Sequence, residues 1–331
     1  MREDLIAMRW LPLFLAAMVA ASLSEAATFT EDFSSNPLAD GWQIFGNTNL
    51  FQWDSLNQDL QVTWDSSQPN SYFYHPLGTI LSRDDDFELS FDLTLQDDSI
   101  GTTPGQPFTF EISLGFLNLV NATQTNFSRG SGVNAVYGPV NLVEFNFFPA
   151  FSIYQPTIDQ VMVATNNSSW LYNENNLLDL PPGDLFHIDM SYLGSPETLT
   201  TILTLGGVQY GETQVIQVPT GFDFRVGVVS VSSYSDRYSD GSILAHGIVD
   251  NFAVTVPPPP VQNLTGAWSN GVFQVQFLSR SNWLYTLQRT GDFQSWAGVS
   301  SVMTSNAMQL LMKDASPTPG KAFYRVSASR P

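Results

Sequence analysis

The chain has no cysteine, few charged residues and little positive charge. Without cysteine it forms no disulfide and offers no thiolate ligand for a structural zinc ion or an iron–sulfur cluster. Charged residues make up 13% of the sequence and hydrophobic residues 43%, which excludes an intrinsically disordered chain, because such chains combine low hydrophobicity with dense charge. The net charge of −19 over 331 residues argues against nucleic acid as a partner, since no basic patch is available to neutralise phosphates.

The first 26 residues carry the pattern of a secretory signal peptide. The basic residue Arg9 precedes the apolar run 11–23, and small residues surround a cleavage position after Ala26. The run is shorter than the roughly 20 apolar residues of a membrane span, and an uncleaved membrane anchor is the alternative. Acidic residues before Arg9 fit a signal peptide poorly, which makes Met8 an alternative start. We expect an exported, secreted or cell-surface protein with no membrane span after cleavage.

Four consecutive prolines, 257–260, divide the chain at a step in charge. Such a run favours an extended, semi-rigid spacer. Residues 27–256 carry 26 acidic side chains against four arginines, a net charge of −22, whereas residues 261–331 have a net charge of +4. The sequence therefore predicts a signal peptide (1–26), a large domain (27–256), a polyproline linker (257–260) and a small C-terminal domain (261–331).

Alternation of apolar and polar residues predicts β-strands along the whole large domain. The longest alternation is 87–95, where five apolar residues share one face. Further strands are predicted at 61–64, 108–114, 142–148, 186–192, 199–205, 224–231 and 248–256. Helical periodicity is nearly absent, so the expected fold is all-β, a large antiparallel sandwich. Shorter strands at 272–277, 285–288 and 323–327 predict a small all-β C-terminal domain.

Short aromatic and acidic motifs recur along the large domain. They are Glu31-Asp32-Phe33, Gly41-Trp42, Trp53-Asp54, Trp64-Asp65, the segment 86–92 and the segment 249–254. Together they resemble the concanavalin A-like jelly roll of the lectin, glucanase and LamG superfamily, as found in secreted bacterial proteins that often carry a small tail domain. Segments 283–290, 292–296 and 322–326 resemble such a tail. The resemblance implies an antiparallel jelly roll and leaves function open, since this sandwich hosts lectins, glycosidases and adhesins.

Two carboxylates predict a structural Ca²⁺ site between the first and last strands of the large domain. Glu31 is expected to share an apolar face with Phe33, and Asp250 to share one with Phe252. An unpaired carboxylate on an apolar face is costly, and calcium, which takes six to eight oxygen ligands, would neutralise the pair. Similar carbohydrate-binding jelly rolls often hold calcium where these strands meet. Carboxylates in water at the strand ends, or bonded to backbone N–H groups, are the alternatives.

The strand Val143-Glu144-Phe145-Asn146 resembles the Val-Glu-Phe-Asp strand of legume-type lectins. In that family the Glu and Asp hold a transition metal and calcium, which support the sugar-binding loop. Here Asn146 stands in place of the Asp, which removes a charge that two divalent ions would need. A sugar contact by Glu144 and a solvated carboxylate on the concave face are the alternatives to a metal ligand.

Aromatic residues cluster in the first third of the large domain. Trp53, Tyr72 and Tyr74 are predicted to bind a ligand, because flat rings stack on the C–H faces of sugars. The two Trp-Asp pairs lie eleven residues apart, which fits a hairpin. Trp42 and Trp64 are expected in the core, where most tryptophans on strands lie.

The run Asp84-Asp85-Asp86 lacks the spacing of a twelve-residue calcium loop, and we expect it to form solvated turns. No catalytic motif of this fold's glucanases, of serine hydrolases or of zinc proteases occurs, and the three histidines are isolated in sequence. The leading hypothesis is an exported, non-catalytic module that binds an extracellular polysaccharide or glycan. The alternatives are a divergent glycoside hydrolase of the same fold and a structural cell-surface protein whose basic tail contacts the envelope.

Overall fold

The computed structural model describes residues 27–129, 141–164, 170–172, 177–305, 308–318 and 321–331. The predicted signal peptide lies outside these residues. Within them the regular structure is β-strand, apart from one short helix, α1 (Leu119–Ala122), and two 3-10 turns, Pro37–Ala39 and Thr48–Leu50. No helix in this part of the chain is long and apolar enough to cross a membrane.

The described strands are numbered in chain order through the two domains. Those of the large domain are β1 Ala27–Glu31, β2 Gln43–Phe45, β3 Phe51–Asp54, β4 Asp59–Asp65, β5 Ser71–Leu81, β6 Phe87–Ile100, β7 Ile112–Leu117, β8 Leu142–Phe148, β9 Thr157–Val163, β10 Trp170–Tyr172, β11 Leu185–Leu193, β12 Thr198–Leu205, β13 Val208–Gln209, β14 Gln214–Gln217, β15 Val226–Ser233 and β16 Ile243–Val256. Those of the C-terminal domain are β17 Val261–Ser269, β18 Val272–Ser279, β19 Leu284–Thr290, β20 Ala297–Gly298, β21 Met303–Thr304, β22 Gln309–Asp314 and β23 Phe323–Ser329.

Two antiparallel sheets make up the large domain. The nine-stranded sheet has the order β13-β12-β11-β6-β16-β4-β3, with β1 on β16 and β14 on β12, and the seven-stranded sheet has the order β10-β9-β8-β7-β15-β5-β2. Their apolar sides meet: Phe91 of the larger sheet lies 5.8 Å, between ring centroids, from Phe145 of the smaller one. This packing confirms the predicted antiparallel jelly-roll sandwich.

The structure confirms several predictions of which side chains of the large domain face the core and which strands pair. The alternating segment 87–95 lies in β6 with all five of its apolar side chains buried. The two Trp-Asp pairs lie on β3 and β4, which form an antiparallel hairpin with Trp53 opposite Leu60. Trp42 and Trp64 are buried in the core, as expected.

The C-terminal domain has its own two sheets and its own apolar core. One sheet has the order β17-β18-β22, and in the other β19 pairs with β20, β21 and β23. The buried residues of this core are Val275, Phe277, Trp283, Tyr285, Leu287 and Met312. They form a cluster separate from the core of the large domain.

The aspartate run expected to form solvated turns instead contacts the C-terminal domain. Asp85 is buried and accepts a hydrogen bond from the Arg280 guanidinium at 2.5 Å. The Arg330 guanidinium binds the other oxygen of the same carboxylate, and Asn282 donates to Asp84 at 3.3 Å. The solvated-turn prediction is therefore wrong for Asp85, because its partners lie in the other domain, out of reach of local pattern.

Candidate functional site

The side of the seven-stranded sheet that faces away from the nine-stranded sheet is called the front face here. It carries a cluster of buried polar side chains that we call the front cluster. Its members are Glu111, Arg129, Glu144, Asn146 and Tyr234. Glu144 and Asn146 reach this face because the residue between them, Phe145, points into the core, and alternate strand residues point to opposite sides.

Glu144 is fully buried and hydrogen-bonded through both carboxylate oxygens. Arg129 Nε lies 3.3 Å from Oε2, and the Tyr234 hydroxyl donates to Oε1. Arg129 Nη2 and Ser113 Oγ also donate to Asn146 Oδ1, at 3.3 and 2.6 Å. The arginine therefore joins the two strand residues that resemble the metal strand of legume-type lectins.

A second acidic side chain of the front cluster, Glu111, has no such partners. Both of its carboxyl oxygens are buried without a hydrogen-bond partner among the described residues. Burial raises its pKa to about 8, although the nearby charge of Arg129 opposes the rise. Burial also raises the pKa of Glu144, against the opposing effects of Arg129 and Tyr234. At neutral pH Glu111 is therefore mostly protonated and uncharged. The Arg129 guanidinium then neutralises the charge of one carboxylate, that of Glu144.

The four predicted ligand residues lie on two different sheets. Tyr72 and Tyr74 share the front face, but both are buried, and their hydroxyl groups donate to Ala122 O at 3.1 Å and to Gln43 Oε1 at 2.8 Å. Glu144 lies on the same face. Trp53 is on the nine-stranded sheet, half-buried, and its indole donates to Phe33 O at 2.9 Å. The structure therefore brings three of the four residues to one face, beneath its surface.

Glu31 and Asp250 are not brought together, although β1 and β16 pair as expected. Glu31 lies opposite the buried Phe252 and accepts a hydrogen bond from the Phe33 amide at 2.8 Å. A register shift between Asp250 and Ala253, with a positive φ of 51° at Asn251, marks a β-bulge. The bulge turns Asp250 to the outer face of the sheet.

The prediction that Asp250 and Phe252 share a face is therefore wrong, and the pair does not form the calcium site expected from the sequence. Asp250 is opposite Asp92, which is hydrogen-bonded to His187 at 2.6 Å. Among the residues that the structure describes, no group of three or more Asp, Glu or His side chains is placed to hold a metal ion.

An open groove of about 520 Å³ lies at one end of the front face and is called the front groove. Its walls are the edge residue Phe45, the turn 67–70, the segment 122–128 and the turn 235–237. Most of its polar groups are uncharged hydroxyls and amides, with one carboxylate and one guanidinium. Phe45 is 37% exposed and is stacked on Tyr72, with ring centroids 5.8 Å apart. Tyr72 thus supports the exposed ring from below.

Asn70 holds three walls of the front groove together. Its side-chain oxygen accepts the Ser235 amide at 2.8 Å, and its amide nitrogen donates to Phe127 O at 3.1 Å. The carboxylate of Asp236 is buried and accepts hydrogen bonds from Ser66 and Thr103 at 3.0 and 2.7 Å. These bonds fix the groove before any ligand arrives, which lowers the cost of ordering on binding.

Sequence reasoning missed Phe45, Asn70 and Arg129. Phe45 lies on a three-residue edge strand, too short for an alternation signal. Asn70 is in a turn, where asparagine is common for local reasons. Arg129 is 15 residues from Glu144 in sequence, with no pattern to link them. The scarcity of positive charge was the one available signal, since the large domain has only four arginines.

No protein-family model and no curated protein sequence matches the chain. Among solved structures, peanut lectin in complex with a nine-residue peptide aligns over 71% of this chain and 100% of its own, at 15% identity and a TM-score of 0.44. A legume lectin-like domain from Entamoeba histolytica aligns over 67% of this chain and 95% of its own, at 9% identity and a TM-score of 0.41.

Lectin I from Ulex europaeus, in complex with the methyl glycoside of α-L-fucose, covers 71% of this chain and 99% of its own, at 15% identity and a TM-score of 0.40. Because these TM-scores are below 0.5, the description of the fold rests on the strand order itself. No ligand residue is transferred from these lectins.

Proposed function

We propose that the large domain is an exported, non-catalytic, lectin-like module that binds an extracellular glycan in the front groove. The observation that carries this proposal is the combination of an exposed phenylalanine with uncharged hydroxyl and amide groups in one preformed concavity. Sugars present the complementary chemistry, since their rings have apolar C–H faces and a rim of hydroxyls that both donate and accept hydrogen bonds.

Phe45 is the residue on which a sugar ring would stack. Its ring is held by Tyr72 below and remains partly open to solvent above. Around it, Gln124 and Thr125 are exposed on the neighbouring wall, where they can donate to and accept from hydroxyl groups. A few oriented polar groups around an apolar surface are typical of small-molecule sites.

The carboxyl groups of the front cluster support binding rather than hydrolysis. Glycoside hydrolysis needs two carboxyl groups that flank the scissile bond and reach it. Glu111 and Glu144 are instead buried beneath the surface, and Glu144 is occupied by Arg129 and Tyr234. We therefore favour a binding module over the alternative of a divergent hydrolase.

A glycan array probed with the chain from residue 27 to 331 tests the proposal. We expect binding to a defined set of neutral glycans. In Phe45→Ala the Kd for the tightest of them should rise about tenfold, equivalent to about 1.4 kcal/mol. Phe293→Ala is the matched control, because Phe293 is an equally large ring, 59% exposed, on the C-terminal domain. Uniformly blank arrays, or equal binding by wild type and Phe45→Ala, would count against the proposal.

A further inference from the structure

The resemblance of β8 to the metal-holding strand of legume-type lectins implies divalent cations beside Glu144. The surrounding residues do not fit such ions. Both oxygens of Glu144 accept hydrogen bonds, one from Tyr234 and one from Arg129. The side-chain oxygen of Asn146 accepts two more, from Ser113 and Arg129. The oxygens that a metal would need are therefore already in use.

What remains among the described residues is too little for calcium. Of the side-chain oxygens of the front cluster, only the two of the buried Glu111 are without a hydrogen-bond partner in the part of the chain that the structure describes. Calcium takes six to eight oxygen ligands. The Arg129 guanidinium would also repel an added divalent ion, because little solvent separates them in a buried site.

We propose that Arg129 is the built-in cation of this front face and replaces the metal ions of the lectin-type site. Its guanidinium neutralises Glu144 and links it to Asn146. Its central carbon, Arg129 Cζ, lies 5.9 Å from the centroid of the Tyr234 ring, which is a favourable cation–π distance. Arginine suits this role because its charge is permanent and its planar fork binds two partners at once.

Arg129 is also the next residue after the segment 122–128, which forms one wall of the front groove. The same segment is bonded to the sheet through Ala122 O and Phe127 O, which accept from Tyr72 and Asn70. Arg129 is thus a positioning residue, and glycan binding should need no divalent cation; this last part rests on the proposed function.

The direct experiment is a metal titration of the wild-type chain, residues 27 to 331, after dialysis against EDTA. We expect no saturable heat on adding CaCl₂ or MnCl₂ alone, and the same melting temperature with EDTA, Ca²⁺ or Mn²⁺. A saturable heat or a raised melting temperature with either metal that is lost in Glu144→Gln would overturn the proposal, because the metal would then bind at the front face.

A substitution pair separates charge from shape. Arg129→Lys keeps a positive charge without the fork, and Arg129→Met removes the charge at similar length. We expect a lower urea midpoint for Arg129→Met than for Arg129→Lys, with wild type highest. Equal midpoints in all three proteins would contradict the role of the guanidinium. If Arg129→Met fails to fold, the wild-type titration and the lysine variant still decide the question.

A glycan measurement is added where the array has identified a ligand. Its Kd should agree within twofold in EDTA and in Ca²⁺, and loss of binding in EDTA would overturn cation independence. A blank array would remove the proposed function but leave the metal titration unaffected, so the two failures are distinguishable.

Discussion

Replacing Glu111 with glutamine is expected to remove a large part of the pH dependence of stability near neutrality. Glu111 is buried on the front face, and neither oxygen has a hydrogen-bond partner in the described residues. Burial raises its pKa from about 4.5 to about 8. The protonated acid is therefore the form that the native state favours.

The direction and size of the effect follow from proton linkage. In the unfolded chain Glu111 ionises above its ordinary pKa near 4.5, whereas the native chain keeps the proton until about pH 8. Between these values the native state binds more protons, so the free energy of unfolding falls by up to about 1.4 kcal/mol per pH unit. The stabilisation is full below about pH 4.5 and is lost as the pH rises through 8. At pH 7 the accumulated loss is on the order of 3 kcal/mol.

The assay is urea denaturation of wild type and Glu111→Gln at pH 5, 6, 7, 8 and 9. Glutamine keeps the shape of the side chain without an ionisable group, so the other titrating groups cancel in the difference between the two proteins. The free energy of unfolding of Glu111→Gln, relative to that of wild type, should rise steadily up to about pH 8. Above that pH the difference between the two proteins should stay constant. Parallel stability curves over the whole range would refute the assignment of a buried, proton-retaining acid.

Three further predictions concern other parts of the chain. Asp85→Ala should lower the free energy of unfolding in urea by about 3–5 kcal/mol, because Arg280 and Arg330 lose the carboxylate that they share; exposed Glu212→Gln is the control, and an unchanged urea midpoint would contradict the domain contact. Gly115→Ala should cost about 1–3 kcal/mol by denaturation, since its Cβ would lie 2.4 Å from Val143 O; an unchanged midpoint would contradict this close approach. The pKa of His187 is lowered by burial and raised by more through two neighbouring aspartates. The stabilisation that protonated His187 gives the folded protein is therefore full below pH 6.5 and is lost as the pH rises through the raised pKa. At 40% exposure this is worth less than about 1 kcal/mol, and an NMR titration giving a pKa at or below 6.5 would disprove it.

The sequence predicted the sandwich well because strand faces are encoded locally. In 87–95 every second side chain is apolar, and one buried face of a pleated strand requires that period. The strand 142–148 was predicted with its observed bounds. Tyr72 and Tyr74 share a face by the same rule, whereas the covering of Tyr72 depends on a separate segment, whose Ala122 O accepts a hydrogen bond from its hydroxyl group.

The features that sequence reasoning missed arise from long-range contacts or from single backbone irregularities. The bulge at Asn251 adds one residue to an otherwise regular alternation and reverses the face of Asp250. Asp85 meets Arg280 and Arg330 across 195 and 245 residues of sequence. Such pairings become visible only once the topology has brought the elements together.

The most direct measurement is a crystal structure of the chain with the tightest neutral glycan from the array. We expect a sugar ring stacked on Phe45 in the front groove, with hydroxyl groups hydrogen-bonded to the walls at 67–70 and 122–128. A glycan bound on the outer face of the nine-stranded sheet, or between the two domains, would contradict the proposed binding site.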